Sequence, residues 1–362
     1  MSTVLVFISG MVNAEIISSI SQEFLSVISE DKITSEYRST TDNNPYAKHP
    51  LKDIQDMYMS CMKENTSDKE LKLFCQDFFF SNDCKEEKYF TYLARLAVQN
   101  KNNMASININ TDRDRSLREI IDCCELHELF QINKIYYWGK VENAQLPVLL
   151  NKSSKCVTVR SSGLSPGSWS REMLETLQNN SLLQAIHIEG FKMSHDVLND
   201  FLNYIINRKT MTEIRLRHLD CTEHEDSCTF SLDFSQHSDL RKLELVWIPE
   251  VSQLKVNSQV KHVKLWGINL GEMSLPPDMA NIESVYLESV NMSASTLRDL
   301  VKVVEKLSHK VTVTIGRYCK IEPETEFEDV KQYIHSSQNF RVTKDDCWEF
   351  VFETNVESSV TI

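Results

Sequence analysis

The sequence predicts an α/β chain: an all-α helical domain, then a solenoid with a parallel sheet inside and helices outside. Three observations predict it. An apolar pattern with a strand-like centre recurs five times between residues 183 and 290. Its copies start at 183, 211, 240, 260 and 282, a spacing that holds one strand plus one crossover. Residues 1–100, by contrast, carry apolar residues at helical spacing and no competing strand pattern.

The five copies place apolar residues at a start and then three, five and eight positions later. They are Leu183-Ile186-Ile188-Phe191, Met211-Ile214-Leu216-Leu219, Leu240-Leu243-Leu245-Ile248, Val260-Val263-Leu265-Ile268 and Ile282-Val285-Leu287-Val290. The middle pair, L-x-L, has the period of a strand with alternate residues buried. The same pattern extends outward more weakly, through Met104-Ile107-Ile109, Ile132-Ile135-Tyr137, Ser154-Val157-Val159 and Val313-Ile315-Tyr318. This is the grammar of a leucine-rich repeat, and it predicts a horseshoe over residues 101–338.

The longer gaps between starts leave room for an outer helix, and three are legible: 168–178, 194–207 and 293–307. The shorter gaps, from 132 to 154, from 240 to 260 and from 260 to 282, require a short turn or an extended crossover instead. The segment 340–352 reads as a strand-rich cap over the last sheet edge, within a C-terminal cap and frayed tail at 339–362.

Within 1–100, helices are expected over 15–28, 51–64 and 86–100. Thr66-Ser67-Asp68 offers a cap for a further helix with Leu71, Phe74, Cys75, Phe78 and Phe79 on one face. Residues 40–50 form a polar loop with two prolines.

The net charge of −13 argues against a general nucleic-acid binder. No apolar run reaches the roughly 20 residues that span a bilayer. Val12-Asn13-Ala14 could pass for a cleavage site, but no basic segment precedes it, so a signal peptide is not expected. The ten cysteines are scattered, which favours buried thiols in a reducing, cytoplasmic setting.

The repeats resemble those of the NOD-like receptors (NACHT/leucine-rich-repeat proteins) and of ribonuclease inhibitor. One departure is that the eighth position holds Phe191, Leu219, Ile248, Ile268 and Val290 where the usual pattern has Asn or Cys. Apolar packing is therefore expected to hold the turn. Phe7-Ile8-Ser9-Gly10-Met11-Val12-Asn13 and Cys61-Met62-Lys63-Glu64 look like helix motifs of the segment between NACHT and repeats. No phosphate-cradling G-x-x-x-x-G-K-[S/T] occurs. The chain thus looks like the C-terminal part of such a receptor, as a fragment or as a protein without a nucleotide switch. The resemblance implies ligand sensing and autoinhibition in innate immunity. Alternatives are a ubiquitin-ligase substrate receptor or a secreted repeat protein.

His218, Cys221, His224, Cys228 and His237 are the only cluster that suggests metal, but the spacing is not a standard finger and an ordinary repeat insertion is the favoured reading. Cys123-Cys124 reads as part of a buried helix face rather than a redox pair. No nucleophile constellation stands out, so no enzyme activity, cofactor or metal is expected.

A protein partner is expected on the concave face, with self-association left open. Positions four and six of each copy line up there in two rows. The first reads Tyr136, Thr158, His187, Arg215, Glu244, Lys264, Tyr286, and the second Trp138, Arg160, Glu189, Arg217, Val246, Trp266, Glu288. Tyr136, Trp138, Arg160, Arg215, Arg217, Lys264, Trp266 and Tyr286 are the candidate binding residues, because exposed aromatics beside arginine make interface hot spots. The blander possibility is an Arg160–Glu189–Arg217 ladder of surface ion pairs, each worth about 0–1 kcal/mol. Replacing Trp266 and Arg217 with alanine is expected to abolish binding at unchanged melting temperature.

Overall fold

The computed structural model describes residues 14–41, 49–65, 71–110, 116–129, 131–141, 144–152, 154–162, 166–223, 228–274 and 281–355. The Phe7–Asn13 motif, the Thr66-Ser67-Asp68 cap, His224 and the frayed tail lie outside these residues. The chain is α/β, with a large, mostly parallel sheet and ten helices among the described residues, and it is not a closed barrel. It divides into two compact units, 1–186 and 187–362.

The first unit opens with helices α1 (Ala14–Glu30), α2 (Lys32–Ser39) and α3 (Pro50–Glu64). The α2 helix is capped by Asp31, which accepts from the N–H groups of Ile33 and Thr34. Pro50 occupies the first turn of α3, where its missing N–H costs nothing. Then come β1 (Asp77–Phe80), α4 (Glu87–Gln99), β2 (Ser106–Asn110), α5 (Leu117–Cys123), β3 (Lys134–Gly139), α6 (Leu146–Leu150), β4 (Cys156–Ser161), β5 (Gly167–Ser168) and α7 (Arg171–Gln178). Strands β1 to β4 are parallel neighbours in sequence order.

Strand β1 corrects the expected helix over 71–79. Residues 71–76 are irregular, and Phe78, Phe79 and Phe80 are all buried in a strand. A strand buried on both faces shows no period of two, and the spacing of its phenylalanines imitated a helix face. The sheet therefore starts inside the segment read as all-helical. Strand β1 also meets the Gln55 side chain of α3, which donates to the Phe79 carbonyl (3.0 Å) and accepts the Phe79 N–H (2.8 Å).

The sheet face expected to lie open is covered in this unit. Asp77, Ser106, Lys134 and Cys156 share one register row across β1 to β4. Arg38 of α2 pairs with Asp77 at 2.6 Å, and the Lys134 ammonium donates to the Tyr37 carbonyl at 2.6 Å while lying 4.1 Å from the Tyr37 ring. The Cys156 thiol donates to the Thr40 carbonyl. Helix α2 was not legible as a helix, since its Ile33 is 54% exposed and its place is set by these polar contacts and by one apolar anchor, Tyr37, packed with Leu51 and Phe79.

The second unit contains β6 (Ala185–Met193, which spans the division), α8 (His195–Asn207), β7 (Glu213–Cys221), β8 (Thr229–Asp233), β9 (Lys242–Val246), β10 (Glu250–Lys255), β11 (His262–Trp266) and β12 (Leu270–Ser274). After them follow β13 (Ser284–Glu288), β14 (Asn291–Ser293), α9 (Ala294–Glu305), β15 (Thr312–Gly316), β16 (Lys320–Glu322), α10 (Glu324–Ser336), β17 (Phe340–Asp345) and β18 (Glu349–Thr354). Its main sheet runs β6-β7-β9-β11-β13-β15-β18-β17. The L-x-L pairs align without slippage: Ile214, Leu243, Val263, Val285 and Val313 form one row, and Leu216, Leu245, Leu265, Leu287 and Ile315 the other.

Each strong copy then turns in the same way. The seventh position is left-handed in all five: Gly190 (φ 82°), His218 (49°), Trp247 (48°), Gly267 (63°) and Ser289 (51°). The eighth position follows as an apolar anchor, buried at Phe191, Leu219, Ile268 and Val290 and half-buried at Ile248. Apolar packing does hold this turn. Asparagine enters elsewhere, as buried Asn257 accepts from the Gln259 N–H and donates to the His237 carbonyl.

Beyond the turn the crossovers differ. Helices α8 and α9 fill two of the long gaps, and β10 and β12 run extended through two of the short ones, but the short gap from 132 to 154 holds helix α6, contrary to expectation. The long gap from 211 to 240 also uses a strand, β8, because Phe230, Leu232 and Phe234 alternate. Strands β8, β10 and β12 form a second parallel sheet in the order β12-β10-β8. Antiparallel β18 and β17 close the main sheet beyond β15. In the outermost copy Tyr318 stays 60% exposed where a buried residue was expected.

Candidate functional site

The site is built on the faces of β7, β9, β11 and β13 opposite the L-x-L pairs. Register alone assembles it: Arg215, Glu244, Lys264 and Tyr286 stand in one row, and Arg217, Val246, Trp266 and Glu288 in the next. Glu244 is the centre, with its side chain 4% exposed. Arg217 reaches it at 2.5 Å, Lys264 at 3.2 Å and Arg215 at 3.7 Å. Arg215 also pairs with Glu213 at 2.6 Å, and Arg217 with Glu189 at 3.8 Å. Burial pushes the Glu244 carboxyl up, but Arg217, Lys264 and Arg215 outweigh it and hold the group below the usual carboxylate range. His187, bonded to Glu189 at 3.1 Å, is held below the usual imidazole range by burial despite that partner, with Arg215 and Arg217 adding to the effect.

An aromatic strip flanks this cluster. The Lys264 ammonium lies 5.5 Å from both the Trp266 and Tyr286 rings. Trp266 is 37% and Trp247 47% exposed. The Trp247 ring lies over Gly267, where an added Cβ would meet it at 2.4 Å. Beyond the end of β15, the Arg317 guanidinium sits 4.6 Å from the Trp348 ring and 5.4 Å from that of Tyr318.

The eight candidate residues do not share one condition. Lys264, Trp266 and Tyr286 come together at the surface. Arg215 is buried within its ion pairs and is unavailable to a partner, contrary to expectation. Arg217 is split between Glu189 and Glu244. In the first unit Tyr136 is 1% exposed, so it belongs to the core. Trp138 and Arg160 there are half-buried and stack at 5.2 Å. Sequence reasoning missed Trp247, Arg317 and Trp348. Trp247 was findable in principle, since it sits at the turn position just after the second row. Arg317 and Trp348 are brought together by the antiparallel return of β18, which no repeat pattern announces.

The cysteine and histidine cluster also rearranges. His237 turns to the Ile205 carbonyl, at 3.1 Å. His218 is exposed at its turn. Cys221 and Cys228 do meet, and the third member is His195, whose Nδ1 lies 3.3 Å from the Cys228 sulfur. The structure contains no disulfide among the ten cysteines, all of them described. Cys123 and Cys124 differ in environment, one exposed and one buried.

No helix among the described residues is long and apolar enough to cross a membrane. No protein-family model matches this chain, and no curated protein matches it.

Proposed function

We propose that the chain is a non-catalytic protein-recognition module: a leucine-rich-repeat solenoid that serves as the sensing or autoinhibitory part of an innate-immune NOD-like receptor, or as a decoy derived from one. A cytoplasmic setting belongs to the same reading. The repeat reading is supported by the in-register L-x-L rows and by the shared left-handed turn. The recognition reading is carried by one observation, the strip in which half-buried Lys264 lies between the exposed Trp266 ring and the half-buried Tyr286 ring beside the Arg217–Glu244 cluster. Aromatic and cationic groups held rigidly by a sheet lose little conformational entropy on binding, which is what interface anchors require.

The experiment is site-specific photo-crosslinking of the full chain in cells from position 247, exposed beside the strip, with Trp266 and Tyr286 intact or both replaced by alanine. A discrete protein adduct that disappears in the double variant is expected, with the melting temperature changed by no more than about 2 °C. An adduct that persists in the double variant, or adducts only from a probe on α9, would place recognition elsewhere.

A further inference from the structure

We propose that His195, Cys221 and Cys228 form a zinc site. Their ligand atoms, one imidazole nitrogen and two sulfurs, all lie within 4.8 Å of one another. A tetrahedral ion with Zn–S of about 2.3 Å and Zn–N of about 2.0 Å sets its sulfurs about 3.8 Å apart and nitrogen about 3.6 Å from sulfur. The three side chains therefore need shifts of only a fraction of an ångström to about one ångström to close around it.

Three segments of the fold converge to make this triangle. His195 is the first residue of α8, Cys221 the last of β7, and Cys228 stands immediately before β8. The His195 ring stacks on Phe230 at 5.9 Å and 24°, which aims Nδ1 at the Cys228 sulfur. The Thr222 N–H donates to the Met193 carbonyl at 2.8 Å, tying the end of β7 to the approach to α8. Both cysteines are buried and His195 is half-exposed. Three protein ligands leave the fourth position of a tetrahedral ion for water.

The donor set chooses the metal. Two thiolates and an imidazole suit zinc, and a triangle made only of nitrogen and sulfur donors disfavours magnesium and calcium. The ion would displace the thiol protons as it binds. It would also pin the crossover after Cys221 to the start of α8, which is a structural task.

The test uses the full chain purified under reducing conditions, stripped with a chelator and titrated with Co²⁺. A sulfur-to-cobalt charge-transfer band with tetrahedral visible bands is expected, erased by added Zn²⁺. Cys228→Ser and His195→Gln should each lose that spectrum, whereas Cys347→Ser, at an exposed cysteine distant in sequence, should keep it. His195→Gln guards against misfolding as the cause, because the residue is half-exposed and its variant can be checked by circular dichroism. Zinc should raise the melting temperature of the parent chain and leave that of His195→Gln unmoved. A spectrum without charge transfer, one unchanged by Cys228→Ser, or a Cys221–Cys228 disulfide in the native protein would overturn the proposal.

Discussion

At the scale of single residues, Glu244 shows how little row position says about depth. The two rows were legible because strand register preserves sequence offsets. What the sequence did not carry was that a carboxylate in the first row would sink to 4% exposure and draw three cations onto itself. A buried charge stripped of its partner is costly, while exposed ion pairs are worth little. Glu244→Gln should therefore destabilise the fold by about 3 kcal/mol, read as a lower urea midpoint. An unchanged midpoint would mean that the cluster is solvated and dispensable. Arg217→Ala also falls on this network, so the expectation that it would leave the melting temperature unchanged does not survive. Trp266→Ala, at an exposed ring, is the clean probe of binding. His195 was invisible for a related reason, since nothing in its local sequence reveals which cysteines the crossover will bring to it.

At the scale of elements, helices α1, α3, α4, α7, α8 and α9 were readable from apolar spacing and from caps such as Ser293, which accepts the Thr296 N–H. The strands of the five strong copies were readable from L-x-L. Strand β1 and helix α2 were not, because one is buried on both faces and the other is held by polar contacts with a sheet row and a single buried ring, Tyr37. The left-handed turn is the element shared by every strong copy, and its sequence gives only a partial sign, glycine in two copies of five. Gly267→Ala is the most direct probe. It meets both the steric cost of a left-handed non-glycine residue and the Trp247 ring over the site. A loss of about 2 kcal/mol is expected from chemical denaturation. Gly190→Ala, at the matching turn position, carries the same left-handed backbone cost, about 1 kcal/mol. Equal losses at the two positions would show that the Trp247 ring yields freely.

At the scale of the whole molecule, composition and charge were legible, and so was the succession of strands and crossovers. The division at 186/187 was not, because it falls inside a strand. Acid should expose how many groups were folded against their solution preference. His49, His187 and His237 are all held below the usual imidazole range, in each case by burial first. The unfolded chain therefore takes up protons before the folded one does as pH falls below about 6.5. Stability should be level above about pH 7, decline below about 6.5, and decline again below about 4.3 as Glu244 loses the charge its partners favour. Urea midpoints between about pH 8 and about 3 would trace this, and a midpoint rising from about pH 7 to about 5.5 would contradict it. The Gln55 amide carries a different consequence. By answering both backbone groups of Phe79, it makes the β1 margin of the sheet unreadable to a foreign strand. The margin at β17 is bulged between Val342 and Lys344 and carries Arg341, Lys344 and Asp345. A protein that builds its core by adding strand to strand is chemically suited to go on adding them without end, and these two borders are where that growth is stopped.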